Sequence, residues 1–142
     1  MRKIISLMLI IASCFILAGC HKTTDDEQNV IDCLDRAEKI AEDGLKYVGN
    51  KEGTQYGTYE NELQKIKNDI GETTGIGDVR VDKVDSYVKE NNLEYEHKAY
   101  EDLNNAELEL MEKAHTEEGW EDIIEKIKSI KKEYKNNIKN RN

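Results

Sequence analysis

Two Glu-x-x-His pairs are the residues of this sequence best suited to bind a metal ion: Glu94 with His97, and Glu112 with His115. Residues i and i+3 lie on the same side of a helix, and helical bundles that hold two metal ions take one such pair from each of two helices. Here the histidines are 18 residues apart, which is about 27 Å along one continuous helix. Charged residues rather than apolar ones flank both pairs. We therefore expect solvent-exposed histidines, no metal and no cofactor, and keep metal binding as an alternative hypothesis.

Nucleophilic catalysis has little support in the sequence. The serines beyond the N-terminal segment, Ser86 and Ser129, lie in no Gly-x-Ser-x-Gly motif and have no acid and base placed around them. The glycine-rich segment 71–78 lacks the Gly-Lys-Ser/Thr ending of a phosphate-binding loop, so we predict a turn there. The aspartates of segment 78–85 lack the spacing of a calcium loop and are predicted to be solvent-exposed. The sequence therefore predicts a protein that is not an enzyme and has no evident small-molecule substrate.

Cys20 follows a segment that has the pattern of an export signal. Residues 1–3 (MRK) are positively charged, and the fourteen residues 4–17 carry no charge; so short a segment cannot span a hydrocarbon core of about 30 Å as a helix. The sequence Leu17-Ala18-Gly19-Cys20 has an aliphatic residue, two small residues and a cysteine, and resembles the lipobox of bacterial lipoproteins. A plain secretory signal, or a signal anchor that is never cleaved, remains the alternative.

The lipoprotein resemblance covers about twenty residues and implies a specific maturation. Cleavage would fall between Gly19 and Cys20, and Cys20 would carry a diacylglyceryl thioether. Two acyl chains satisfy the two-signal requirement for stable membrane attachment, so the expected location is the outer face of the bacterial cytoplasmic membrane. We predict a signal peptide at residues 1–19, a lipidated tether at 20–27, and a helical domain at 28–142 with a basic C-terminal helix.

The charge of the chain is divided unevenly along its length. Residues 20–125 carry 12 basic and 29 acidic groups, whereas residues 126–142 carry 7 basic groups and one acidic group. The lysines of the last segment either form the solvated side of a helix that faces acidic neighbours, or contact anionic lipid or an acidic partner. An export signal and an acidic body argue against nucleic-acid binding. A length of 142 residues also excludes a two-lobed solute-binding protein.

Apolar residues recur at steps of three and four along the chain, which is the period of a helix. The clearest stripes are Val30, Leu34, Ala37, Ala41, Leu45 and Val48; Tyr59, Leu63, Ile66 and Ile70; and Trp120, Ile123, Ile124, Ile127, Ile130, Tyr134 and Ile138. We expect Gly71 to end the second helix, and Thr116 with Gly119 to mark the start of the last.

The segments between these stripes complete the fold prediction. A third helix is predicted after Asp78, with Val81, Val84 and Val88 on one face, although residues 79–84 could instead begin a short strand. After a break at residues 91–92, a fourth helix spans 93–114. The sequence therefore predicts an all-α fold, a small antiparallel bundle of four or five helices.

Aromatic and basic side chains are the candidates for partner binding, because aromatic residues supply many interface hot spots. The tyrosines on or beside the apolar stripes are predicted to be core residues: Tyr59, Tyr87, Tyr100 and Tyr134. The residues predicted to bind a partner are Tyr47, Tyr56, Tyr95, Lys128, Lys132 and Lys135.

Cys33 has no predicted intramolecular partner, since Cys14 leaves with the signal and Cys20 is lipidated. We predict that Cys33 is a small buried hydrophobe; an intermolecular disulfide or a reactive thiol stays open as an alternative.

These features favour a membrane-anchored surface lipoprotein that binds another protein and catalyses no reaction. Small exported lipoproteins include exclusion, immunity and accessory proteins, and anchoring concentrates such a protein where its partner must pass. The expected partners are the membrane, through the lipid on Cys20, and another envelope protein or an invading one. The alternatives are the metal-binding protein described above and an envelope spacer or accessory subunit.

Overall fold

The computed structural model describes residues 21–48 and 56–141. Residues 1–19, predicted to be a signal peptide, Cys20 and the side chain of Tyr56 lie outside the described residues, so the structure does not address the predictions about them. The helices are α1 (Asp25–Lys46), α2 (Tyr56–Thr74), α3 (Val84–Glu90), α4 (Glu94–Lys113) and α5 (Glu117–Lys139), with single 3₁₀ turns at Ile76–Asp78 and Val81–Lys83. Within the described ranges, none of these helices combines the length and the apolar character needed to cross a membrane.

The four long helices form an antiparallel bundle, which confirms the predicted fold class. Helix α1 packs against α2 and α5, and α4 packs against the same two helices, so α1 lies diagonally opposite α4. The first turn of α1 and the last turn of α5 therefore share one end of the bundle. The end of α1 and the start of α5 share the other, where Gly44 contacts Trp120.

The predicted stripes form the core of the bundle. All seven residues of the α5 stripe are buried, and Leu63, Ile66 and Ile70 of α2 are at most 1% exposed. Burying a side chain of this size stabilises a fold by about 1.5–3 kcal/mol. Tyr134 is a core residue as predicted, and Tyr59 and Tyr100 pack against the core while partly exposed.

Helix α1 begins with a capping box formed by Thr24 and Glu27. The hydroxyl of Thr24 accepts a hydrogen bond from the backbone N–H of Glu27 (3.2 Å), and the Glu27 carboxylate accepts one from the N–H of Thr24 (2.9 Å). This capping box satisfies two backbone donors at the helix start. The helix begins at Asp25, so the last three residues of the segment predicted as a tether are helical.

The connection between α2 and α4 differs most from the prediction. Gly71 does not end α2, which continues to Thr74 because the bare Gly71 backbone allows close packing of Gly77 and of the Tyr100 ring. The predicted third helix is only seven residues long, and Val81 is 93% exposed in a 3₁₀ turn, so within the described residues neither the longer helix nor the strand alternative is found. The predicted break is confirmed at Asn92, whose φ of 55° lies in the left-handed region.

Candidate functional site

A cluster of charged side chains lies at the bundle end where α1 begins and α5 ends. We name it the clasp; its members are His21, Glu27, Glu96 and Arg141. Glu27 and Glu96 are each only 2% exposed. Since buried charges are costly unless paired, the geometry of this cluster decides whether that end of the bundle is stable.

Arg141 joins the two buried carboxylates. Its guanidinium donates two parallel hydrogen bonds to Glu96, from Nη1 to Oε1 (2.9 Å) and from Nη2 to Oε2 (2.8 Å). Nη1 also donates to Oε1 of Glu27 (2.9 Å), and the guanidinium lies 5.0 Å from the ring centroid of Tyr95. The hydrogen bonds to Glu96 raise the pKa of Arg141. Bidentate pairing with a carboxylate is among the stronger polar interactions in proteins.

Glu27 links the clasp to the N-terminal side of the described chain. Nε2 of His21 lies 2.8 Å from Oε2 and 3.0 Å from Oε1 of Glu27. Burial alone raises the pKa of Glu27, but the hydrogen bonds from Thr24 and His21 and the charge of Arg141 outweigh it, so the net pKa is lowered. Glu27 is therefore held as a carboxylate that binds three elements of the chain together.

Tyr134 completes the clasp from inside the core. Its hydroxyl donates a hydrogen bond to Oε1 of Glu96 (3.0 Å). Burial and the neighbouring charge of Glu96 raise the pKa of Tyr134, so the phenol stays protonated and keeps donating. A polar cavity of about 340 Å³ opens beside the clasp, between the start of α1 and residues 73–74 and 91–93. The carboxylate oxygens nearest the cavity are already hydrogen-bonded, so the chemistry visible here is structural: it fixes His21 to the bundle end.

The exposed side of α5 carries a row of lysines. Lys128, Lys132, Lys135 and Lys139 follow each other at steps of four, three and four, which places them on one face of the helix. We name this row the lysine face. The other α5 lysines are paired: Lys126 with Glu109 of α4, and Lys131 with Asp35 and Glu38 of α1.

The opposite end of the bundle, which we call the distal end, carries aromatic and apolar groups. Tyr59 packs edge-to-face on Trp120 with ring centroids 5.6 Å apart, and Tyr47 stacks on Tyr59 at 6.4 Å. Near this end, Leu108 and Met111 of α4 are 54% and 51% exposed. An exposed apolar group is a normal surface feature alone, but several in one region favour a contact surface.

The structure separates the residues predicted to bind a partner. Tyr47 is 45% exposed at the distal end, while Tyr95 is partly buried against the core and covered by Arg141 at the clasp. Lys128 and Lys132 are exposed and Lys135 is half-buried on the lysine face. These residues therefore form no single surface, and the lysines stand apart from both tyrosines.

Sequence reasoning did not identify the clasp, although one signal for it was present. Thr24 and Glu27 have the Thr-x-x-Glu spacing of a capping box, which marks a helix start. Glu96 lies at a core position of α4, three residues before buried Ala99. A glutamate at such a position needs a cation, and the sequence does not show that Arg141, 45 residues away, supplies it.

The two Glu-x-x-His pairs are not brought together. Glu94 and Glu112 both belong to α4, so 18 residues of one helix, about 27 Å, separate them. Nε2 of His97 lies 3.6 Å from Oε1 of Glu101, and His115 is exposed after the helix end. Among residues 21–48 and 56–141, no three His, Cys, Asp or Glu side chains are grouped closely enough to hold a metal ion.

Comparison with known proteins adds no relative: no protein-family model, no curated protein and no solved structure matches the chain. Functional inference for this protein therefore depends on the chemistry and placement of its own residues. Its three distinctive features are the clasp, the lysine face and the apolar groups near the distal end.

Proposed function

We propose that this chain is a lipid-anchored lipoprotein on the outer face of the bacterial cytoplasmic membrane, and that it binds another protein there without catalysing a reaction. The observation that carries the proposal is the Leu-Ala-Gly-Cys sequence ending at Cys20. Cys20 directly precedes His21, the first residue of the clasp. The lipid would therefore be attached at the clasp end of the bundle.

The clasp supports this arrangement because it shortens the link between lipid and domain. His21 is hydrogen-bonded to Glu27, and the helix starts at Asp25. Only the Cys20 backbone then separates the acyl chains from a fixed residue, a distance of about 3.5 Å per residue of extended chain. A protein anchored in this way holds its clasp end at the bilayer and meets partners at a high effective concentration.

The distal half supplies the surface that we assign to the protein partner. Tyr47, Leu108 and Met111 are each about half exposed there. Aromatic residues and methionine are enriched in protein interfaces, whereas lysine and glutamate are depleted. An envelope protein, or an invading one that crosses the membrane, fits a surface displayed away from the anchor, as an exclusion, immunity or accessory protein would require.

Photo-crosslinking in intact cells tests the proposal. A photo-reactive amino acid is placed at Leu108 or at Met111, and at Asn136 as the matched control, an exposed polar residue on the clasp half of α5. Crosslinked material is recovered through the chain and identified by mass spectrometry. We expect one protein to be captured from both distal positions, not from Asn136, and to disappear in a Cys20→Ser background.

Two results would contradict the proposal in different ways. Capture of the same protein in the Cys20→Ser background would show that binding does not need the lipid on Cys20. No protein captured from either distal position, with the chain abundant and folded, would refute the partner-binding role.

A further inference from the structure

The lysine face stands out because its cations lack partners on a strongly acidic protein. The net charge of the chain is -9, yet Lys132, Lys135 and Lys139 form no ion pair with an acidic residue of the described ranges, and Lys128 only approaches Glu125 at 4.0 Å. Asp35 and Glu38 of α1 pair with Lys131. Glu42, Glu121 and Glu125 line a pocket together with Lys128, at the start of the lysine face. The part of the face from Lys132 to Lys139 therefore presents unpaired positive charge to solvent.

The lysine face runs toward the clasp end of the bundle. Lys139 is the last residue of α5 and lies two residues before Arg141, which holds Glu27 and through it His21. The C-terminal end of the lysine face therefore lies near His21, the residue that follows the proposed lipid attachment at Cys20. An acidic protein partner could bind a basic face anywhere on the bundle, whereas continuity with the anchor favours a membrane surface.

The length of the face determines how the bundle can use it. Eleven residues separate Lys128 from Lys139, which is about 16 Å along the helix axis. The attraction of exposed charges to an anionic surface falls off within about 8–10 Å at physiological salt. An upright bundle would bring only the residues near Lys139 into this range, while a bundle lying along α5 would bring all four lysines into it.

The geometry points to an anionic phospholipid bilayer as the occupant of the lysine face, with the bundle lying on its side along α5. This inference rests on the proposed lipid anchor, which holds the clasp end at the surface. Each lysine near an anionic leaflet contributes to the attraction. The anionic lipid thus sets the orientation of the bundle, whereas the lipid on Cys20 attaches the bundle to the membrane.

This orientation directs the exposed apolar groups of α4 away from the lipid. Asn104 accepts a hydrogen bond from Lys67 of α2 (2.9 Å), and Leu108 and Met111 follow Asn104 at steps of four and three on the same side of α4. They therefore lie on the flank next to α2, which is diagonally opposite α5. A bundle resting on α5 leaves that flank accessible to a protein.

Lysine acetylation of the reconstituted lipoprotein tests the inference directly. The full chain is produced in a bacterial host, extracted in detergent and inserted into vesicles of phosphatidylcholine alone or with phosphatidylglycerol. A membrane-impermeant acetylating reagent is added, and the rate at each lysine is read by mass spectrometry. Lys65 of α2, whose side chain is 67% exposed on the opposite side of the bundle, is the internal reference.

We expect Lys132 and Lys135 to react at least about threefold more slowly, relative to Lys65, on anionic than on zwitterionic vesicles, and the difference to vanish in about 1 M salt. A double variant, Lys132→Glu with Lys135→Glu, should lose the protection of Lys128 and Lys139, whereas Lys89→Glu, at an exposed position of α3, should not. Lys132 is exposed and Lys135 is half-exposed, so we expect the double variant to fold.

The possible results distinguish the orientation of the bundle on the bilayer from its attachment through the lipid on Cys20. A chain that floats with both kinds of vesicle but shows unchanged lysine ratios would overturn the orientation and leave the anchor intact. A chain that does not float with zwitterionic vesicles would refute the anchor, and the orientation with it. Protection of the lysine face in cells but not on anionic vesicles would assign the face to a protein and overturn the inference.

Discussion

Replacing Arg141 with methionine removes the cation that two buried carboxylates share. Methionine keeps most of the aliphatic stem that packs beneath the guanidinium, so the substitution isolates the charge. Glu27 and Glu96, each 2% exposed, then lose three hydrogen bonds of 2.8–2.9 Å. Glu27 then keeps His21 and the backbone N–H of Thr24, and Glu96 keeps the Tyr134 hydroxyl.

The cost follows from leaving buried charge without its partner. Removing one member of a buried ion pair destabilises a protein by about 3–5 kcal/mol. The Arg141 side chain is 20% exposed, so water can enter the space it leaves. We therefore expect a loss near the lower limit, about 3 kcal/mol at pH 7. The matched control is Arg80→Met, whose side chain is 81% exposed and pairs only with nearby Asp82; it should cost less than about 0.5 kcal/mol.

Urea unfolding of the purified protein in detergent, followed by far-ultraviolet circular dichroism, measures both variants. The pH dependence adds a second check on the mechanism. The lowered pKa of Glu27 contributes stability that is present above the ordinary glutamate pKa of about 4.3 and is lost as the pH falls through the folded value. Without Arg141 the folded pKa of Glu27 is higher than in the wild type. The stability difference between the two proteins should therefore be largest near pH 7 and shrink toward pH 4.

Two results would refute this reasoning. If Arg141→Met costs no more than Arg80→Met, the clasp does not stabilise the bundle. If the loss is large but equal at pH 7 and pH 4, it comes from packing and not from the unpaired carboxylates.

Three further predictions concern the interior. Gly44→Ala would place a Cβ 2.3 Å from the indole ring of the only tryptophan and should cost about 1–3 kcal/mol, whereas Gly57→Ala meets nothing within 4 Å and should be neutral or stabilising; thermal unfolding compares them. Lys67→Met should destabilise by about 3 kcal/mol because it leaves Glu107 buried and unpaired, and adding Glu107→Leu should restore most of the loss, as a double-mutant cycle in urea would show. Burial raises the pKa of the Cys33 thiol, so alkylation monitored by mass should be slow in the folded protein and fast in urea.

The fold was predictable where the pattern was repeated and local. All seven residues of the predicted stripe from Trp120 to Ile138 are buried in α5. The pattern identifies them because a helix that buries one face repeats its apolar positions every three or four residues. Thr116 is predicted to mark the start of the last helix, and its hydroxyl accepts a hydrogen bond from the backbone N–H of Gly119 at the start of α5. Such features depend only on neighbours within one or two turns.

The features that were missed depend on contacts distant in the sequence. Gly71 carries the usual signal for a helix end, yet the helix continues through it, and a Cβ there would lie 3.3 Å from both Gly77 and the Tyr100 ring. Val81 fits a helical stripe by its spacing, yet no element packs over it. The pairing of Glu96 with Arg141 was not predicted, because two residues 45 positions apart leave no periodic pattern in the sequence.

The mass of the mature N-terminus tests the central claim most directly. Chain purified from a bacterial membrane fraction is digested, and the peptide that begins at residue 20 is weighed. The account predicts that the wild type begins at Cys20 with a diacylglyceryl group on its sulfur, and that Cys20→Ser keeps residues 1–19. A wild-type chain with an unmodified thiol at Cys20, or with the first nineteen residues still attached, would contradict it.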